Sequence, residues 1–99
     1  MAVRADGVFV PCTLLAHLEL GRLGCDPLTQ VWHESPALAS LRARSALPLA
    51  GFRVCSECAY TAYCTGNCPG SAYGLTGSVD RPSPDACLRQ YLADGGSLP

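Results

Sequence analysis

The sequence lacks lysine altogether, and its seven basic residues are arginines spread from Arg4 to Arg89. Eight acidic residues bring the formal net charge to −1. Binding to a phosphate backbone requires clustered positive charge, and the arginines form no basic stripe. The composition therefore argues against a nucleic-acid partner.

Long apolar runs are also missing. No uncharged apolar segment approaches the roughly 18 residues that a membrane-spanning helix needs. The first residues, Met1 to Gly7, contain none of the apolar core of a signal peptide. We therefore expect no membrane association and a reducing, cytoplasmic environment. In such a compartment, dense cysteines usually indicate metal binding and not disulfide bonds.

Cysteine is the residue that is over-represented, with seven in 99 residues. The length fits one small domain over residues 1–99, and the hydrophobic content of 48% argues against a disordered tail. A domain of this size buries a limited fraction of its surface, and a metal centre commonly compensates.

The local patterns predict a small α+β fold, with a short β-hairpin followed by short helices and a cysteine-rich cluster-binding loop. Asp6-Gly7 is a hairpin turn signal, and Val8 to Val10 is a β-branched and aromatic strand. The pairing strand would have only residues 2–4 available, so we expect the chain to begin inside a hairpin, as a truncated fragment would. Residues 14–23 are predicted to be extended.

Two helix starts follow, each marked by a capping residue before a proline. Asp26-Pro27 begins the first, with Leu28, Val31 and Trp32 on one face and Trp32 in the core. Ser35-Pro36 begins the second, which should end near Ala46.

Farther along, residues 51–70 are predicted to be a ligand loop and residues 71–75 a helical turn. A last helix is expected over residues 85–92, with Cys87 in its first turn.

The cysteine spacing is the strongest chemical signal. Four cysteines follow the pattern Cys55-x2-Cys58-x5-Cys64-x3-Cys68, and eighteen further residues separate Cys68 from Cys87. A C-x2-C pair can direct two thiolates at one site, and thiolates suit zinc or iron–sulfur clusters. Spacing alone does not distinguish the two metals. A zinc knuckle would use the four cysteines from 55 to 68, and a disulfide scaffold is a further alternative.

The whole cysteine pattern resembles the SPASM domain, the C-terminal part of many radical S-adenosylmethionine enzymes. Gly7-x4-Cys12 precedes the four-cysteine pattern, and Cys87 follows it. The sequence between the cysteines is also similar, from Val10-Pro11-Cys12 through Val31-Trp32 to Cys64-Thr65-Gly66-Asn67-Cys68-Pro69.

The resemblance implies auxiliary [4Fe–4S] clusters. By position, the second cluster would be held by Cys55, Cys58, Cys64 and Cys87. Cys12 and Cys68 would contribute to the first cluster, which would be incomplete here because the family's further cysteines lie upstream of Gly7. Cys25 falls outside the family pattern and is predicted to be a buried, unligated residue, with a substitute ligand for the incomplete first cluster as the alternative.

The resemblance also implies a function. Such a domain would transfer electrons and position a ribosomal peptide or protein substrate for a radical S-adenosylmethionine catalytic domain or subunit. The radical-generating motif C-x3-C-x2-C is absent from this sequence, so we expect no catalysis by the chain alone. The alternatives are a structural zinc-binding interaction module and a free-standing iron–sulfur electron carrier.

Overall fold

The computed structural model describes residues 1–64 and 68–97, so the predicted loop residues 65–67 lie outside the description. The chain divides into two compact units, Met1–Ala46 and Leu47–Pro99. Small strands and short helices make up the two units, which confirms the predicted α+β class. Within the described residues, no helix combines the length and apolarity needed to cross a bilayer.

The first unit begins with an antiparallel sheet of three strands, β1 (Ala2–Val3), β2 (Val8–Val10) and β3 (Gly21–Arg22), in the order β1-β2-β3. The predicted hairpin is confirmed, since Val3 pairs with Phe9 and Gly7 adopts a φ of 83° in the turn. β2 is the central strand and is buried along its whole length.

The segment predicted to be extended is mixed. It opens with a 3₁₀ turn, Thr13–Leu15, and becomes a strand only at β3. Leu15 is 1% exposed and adds to the core.

Two helices complete the first unit, α1 (Leu28–Glu34) and α2 (Pro36–Ala46). Ser35 caps α2 as predicted, because its Oγ accepts a hydrogen bond from the backbone N–H of Leu38 at 3.4 Å. Asp26 does not cap α1: its carboxylate instead accepts from the backbone N–H of Arg22 at 2.9 Å. The predicted core position of Trp32 is wrong, since Trp32 is 46% exposed while Val31 is buried.

The second unit is built from turns and two short helices, α3 (Pro69–Thr76) and α4 (Leu88–Ala93). Three 3₁₀ turns precede or separate them, at Leu49–Gly51, Arg53–Cys55 and Pro84–Ala86. The last predicted helix is therefore split: a 3₁₀ turn and α4 meet at Cys87, which has extended dihedrals and caps α4.

Candidate metal centre

Three of the predicted ligands sit in tight backbone turns of the second unit. Cys55 ends a 3₁₀ turn, and its carbonyl accepts a hydrogen bond from the N–H of Cys58 at 3.1 Å. The N–H of Cys64 donates to the carbonyl of Tyr60 at 3.0 Å. The C-x2-C pair and Cys64 therefore lie in hydrogen-bonded backbone turns of the second unit.

The fourth predicted ligand arrives from the C-terminal side. Cys87 stands between a 3₁₀ turn and α4, where the carbonyl of Cys87 accepts from the N–H of Tyr91 at 2.9 Å. Because Cys87 is extended and not helical, its side chain is placed by the turn before it and by the helix after it.

Three of these four thiols line a common cavity, and Cys58 is not among its lining residues. This cavity of about 220 Å³ is lined by Cys55, Cys64 and Cys87. A second cavity of about 250 Å³ is also lined by Cys64 and Cys87, together with Tyr63 and Tyr91. We refer to Cys55, Cys58, Cys64 and Cys87 as the four-cysteine set.

Cys55 interacts electrostatically with the other three cysteines of the set. Partial burial raises the pKa of the Cys55 thiol, and the neighbouring charges of Cys58, Cys64 and Cys87 raise that pKa further. The guanidinium of Arg89 acts in the opposite direction and lowers it. Thiolates crowded in this way repel one another unless a cation lies among them, which is the donor chemistry of a metal or cluster site.

Two hydrogen bonds connect the C-terminal segment to the ligand turns. The Nη2 of Arg89 donates to the carbonyl of Val54 at 3.3 Å, next to Cys55. The Sγ of Cys64 donates to the carbonyl of Ala86 at 3.5 Å, next to Cys87. Both contacts join segments that are far apart in sequence, so they help to bring Cys87 to the other three cysteines.

A hydroxyl–carboxylate network beside Cys87 was not anticipated from the sequence. Ser71 donates to Asp85 at 2.8 Å, and Ser83 lies 2.6 Å from Ser71 and also donates to Asp85. These hydrogen bonds lower the pKa of the Asp85 carboxyl. These hydrogen bonds connect the turn before Cys87 to α3. No sequence pattern indicated them, because serine and aspartate are common in exposed loops.

Cys68 lies outside the four-cysteine set, at the N-terminus of α3. It is exposed, and its Sγ accepts a hydrogen bond from the backbone N–H of Ser71 at 3.5 Å. Pro69 follows at the first helical position, so this helix start is the usual place for a side-chain acceptor.

The remaining two cysteines belong to the first unit. Cys12 is half-buried and precedes the 3₁₀ turn Thr13–Leu15. Cys25 is exposed, so the prediction that it is buried is wrong. It follows Gly24, whose φ of 82° belongs to an open turn. No disulfide bond joins any of the seven cysteines, all of which lie within the described residues.

Cysteine thiolates are suitable ligands for iron–sulfur clusters and for zinc, and the four-cysteine set offers four of them. By their donor chemistry, these residues suit a thiolate-ligated centre. Over residues 1–64 and 68–97, no three His, Cys, Asp or Glu side chains are arranged to hold a single metal ion.

The fold and the site define a small, cysteine-rich domain with a candidate metal centre. The family model of the SPASM domain, described as an iron-sulfur cluster-binding domain, matches residues 1–69. This match covers more than half of the chain, and the chain belongs to that family of iron–sulfur cluster-binding domains. No curated protein and no solved structure gives a significant match.

The matched range ends before the last predicted ligand. Cys12, Cys55, Cys58, Cys64 and Cys68 lie within it, whereas Cys87 lies beyond it. The placement of Cys87 beside Cys55 and Cys64 in the structure is therefore an observation independent of the family match.

Proposed function

We propose that the four-cysteine set holds an auxiliary [4Fe–4S] cluster, and that the chain works with a radical S-adenosylmethionine catalytic domain or subunit that modifies a ribosomal peptide or protein. The family gives the iron–sulfur class. The cluster type, the partner and the substrate are our proposal. The observation that carries it is the cavity onto which Cys55, Cys64 and Cys87 open, with Cys58 as an electrostatic neighbour of Cys55.

A [4Fe–4S] cluster supplies one-electron redox chemistry. Four cysteine ligands would leave it no open coordination position, which favours electron transfer over direct binding of substrate. The chain's own residues provide the thiolates, and the backbone turns at Cys55 and Cys64 fix their spacing. The thiol proton that Cys64 shares with Ala86 must leave before Cys64 can ligate.

We further propose that Cys12 and Cys68 contribute to a different cluster, whose other ligands are not in this sequence. The backbone N–H of Ser71 donates to the Sγ of Cys68, which places this sulfur at the N-terminus of α3. Cys12 is half-buried in the first unit, and Cys68 is exposed in the second.

Anaerobic reconstitution tests the cluster assignment. We expect the full chain to take up iron and acid-labile sulfide in equal amounts, about four of each for one complete cluster. The control is a variant in which Cys55, Cys58 and Cys64 are all replaced by serine, which should bind little of either. Stoichiometric zinc without iron would contradict the proposal and identify a zinc module instead.

The proposed partnership has its own test. The reconstituted chain alone should not cleave S-adenosylmethionine under strong reductant, because it lacks C-x3-C-x2-C. Production of 5′-deoxyadenosine above background by the pure chain would contradict an auxiliary role. If the reconstituted chain accepts electrons but binds no radical S-adenosylmethionine protein encoded by a neighbouring gene, the result would favour a free-standing electron carrier.

A further inference from the structure

Apart from the cysteines, the charged side chains that line the cavity of Cys55, Cys64 and Cys87 are positive. Besides the three cysteines, its charged lining residues are Arg81 and Arg89, and no Asp or Glu is among the described residues that line it. The chain as a whole has slightly more acidic than basic residues. Two arginines at this one cavity therefore form a local concentration of positive charge that the overall composition does not suggest.

We propose that Arg89, assisted by Arg81, acts as a positioning and charge-compensating residue that raises the reduction potential of the cluster held by the four-cysteine set. This inference rests on the proposed function. It concerns what surrounds the cluster and assigns neither arginine as a ligand.

The physical reason is the charge of the centre. A [4Fe–4S] cluster with four thiolates is anionic in both redox states and gains one more negative charge on reduction. A nearby guanidinium therefore stabilises the reduced state more than the oxidised state, and net charge around a cluster is one of the factors that set its potential. Arginine stays protonated at any relevant pH, so the effect does not depend on titration.

Arg89 is better fixed than a free surface arginine. Its guanidinium donates to the carbonyl of Val54, and its backbone lies in the first turn of α4, two residues after Cys87. The side chain thus joins the segments that present Cys55 and Cys87. Removing its charge should change the potential, and removing its hydrogen bond should loosen the site.

Two carboxylates lie close to this cavity without lining it: Asp94 accepts a hydrogen bond from the side chain of the lining residue Gln90 at 3.0 Å, and Asp85 lines the second cavity. The carboxylate of Asp85 accepts hydrogen bonds from Ser71 and Ser83, which disperse its negative charge. The negative charge of Asp85 lowers the reduction potential of the cluster, whereas the arginines raise it. The net shift in potential is the difference between these two effects.

The test is potentiometry of the reconstituted full chain with Arg89→Gln, Arg89→Lys and Arg81→Gln, followed by electron paramagnetic resonance. We expect Arg89→Gln to lower the midpoint potential of the cluster that it retains, and Arg81→Gln to lower the potential less. Arg89→Lys keeps the charge and should stay near the wild-type potential. Both arginines are exposed, so the shift should shrink at high ionic strength.

Arg53→Gln is the matched control, since it removes the same charge from an exposed residue of the same unit that does not line the cavity. Equal potentials in Arg89→Gln and Arg53→Gln, with the cluster intact in both, would overturn the inference and leave the proposed function standing. A wild-type chain that binds no iron would overturn both. If Arg89→Gln loses the cluster, then a wild-type potential in Arg81→Gln overturns the inference and a lowered one supports it.

Discussion

Cys87 is the residue on which the ligand assignment depends most, because it is separated from the other cysteines in sequence and lies beside Cys55 and Cys64 in the structure. We expect Cys87→Ala to lose most bound iron and to lower the melting temperature, since metal-binding energy in small domains is largely folding energy. Cys25→Ala should change the stability by no more than about 0.5 kcal/mol, because an exposed side chain loses few contacts. Iron analysis and thermal melting of the two variants check this.

Cys68→Ala separates the two metal hypotheses. With the four-cysteine set as ligands, this variant should keep more iron than Cys87→Ala, because Cys68 lies outside that set. A zinc knuckle of the four cysteines from 55 to 68 requires the reverse order. Full metal content in Cys87→Ala together with metal loss in Cys68→Ala would refute our assignment.

The hairpin turn offers a pH test away from the cysteines. Arg4 pairs with Asp6, and this hydrogen-bonded ion pair lowers the pKa of the Asp6 carboxyl. A carboxyl with a lowered folded-state pKa contributes stability above its unfolded pKa, about 3.9, and loses that contribution as the pH falls through the folded value. An NMR titration of the Asp6 carboxyl should show its pKa rising in Arg4→Gln, and an unchanged value would contradict this account.

At the residue scale, the sequence predicted the role of a residue correctly where that role depends only on its neighbours in the chain. The turn glycine Gly7 was identified because a hairpin of this type demands a positive φ, and Ser35 because a cap is recognised next to its helix. Trp32 and Cys25 were misplaced, because burial depends on which face of an element meets the core and sequence spacing does not fix that.

At the scale of elements, the stability of α3 depends on the caps at its two ends. Cys68 caps its N-terminus, and Gly77 ends it with a φ of 75°, a left-handed conformation that side chains resist. We expect Gly77→Ala to destabilise the second unit by about 1 kcal/mol. A Cβ at this position meets no atom within 4 Å, so the cost comes from the backbone alone.

Gly74 supplies the matched control within the same helix. A Cβ at Gly74 also meets nothing within 4 Å, and its φ is not positive. Gly74→Ala should therefore stabilise the helix by about 0.5–1 kcal/mol, since glycine is a poor helix former. Chemical denaturation of the two variants should give shifts of opposite sign. Shifts of the same sign would show that this account of the helix end is wrong.

The hairpin and the helices were predicted in the correct type, whereas residues 14–23, predicted to be extended, open with a 3₁₀ turn. The hairpin and α2 were identified because a turn signal or a cap precedes an apolar pattern. The helix around Cys87 was predicted to be continuous, yet it breaks at that residue. The hydrogen bonds of Ser71 and Ser83 to Asp85 hold the turn before the break. The hydrogen bond of Ser71 to Asp85 joins residues distant in sequence, so a local pattern could not show it.

At the scale of the whole molecule, the two units differ in what can hold them together. In the first unit, the buried apolar residues are Val8, Phe9, Val10, Leu15, Val31 and Leu38. In the described part of the second unit, they are Leu49, Phe52 and Ala72. An apolar core of this size stabilises a unit weakly, because the hydrophobic contribution scales with buried apolar area. A metal centre would supply the missing stabilisation.

Removal of iron should therefore unfold the units unequally. Chelation of the reconstituted protein should increase amide hydrogen exchange in the ligand turns, where the N–H groups of Cys58 and Cys64 are hydrogen-bonded. The sheet amides of Leu20 and Leu23, which donate to Phe9 and Gly7, should keep their protection because apolar burial supports them. Equal loss in both units would mean that the first unit also depends on the metal, and unchanged exchange at Cys58 and Cys64 would mean that the centre adds no stability to the second.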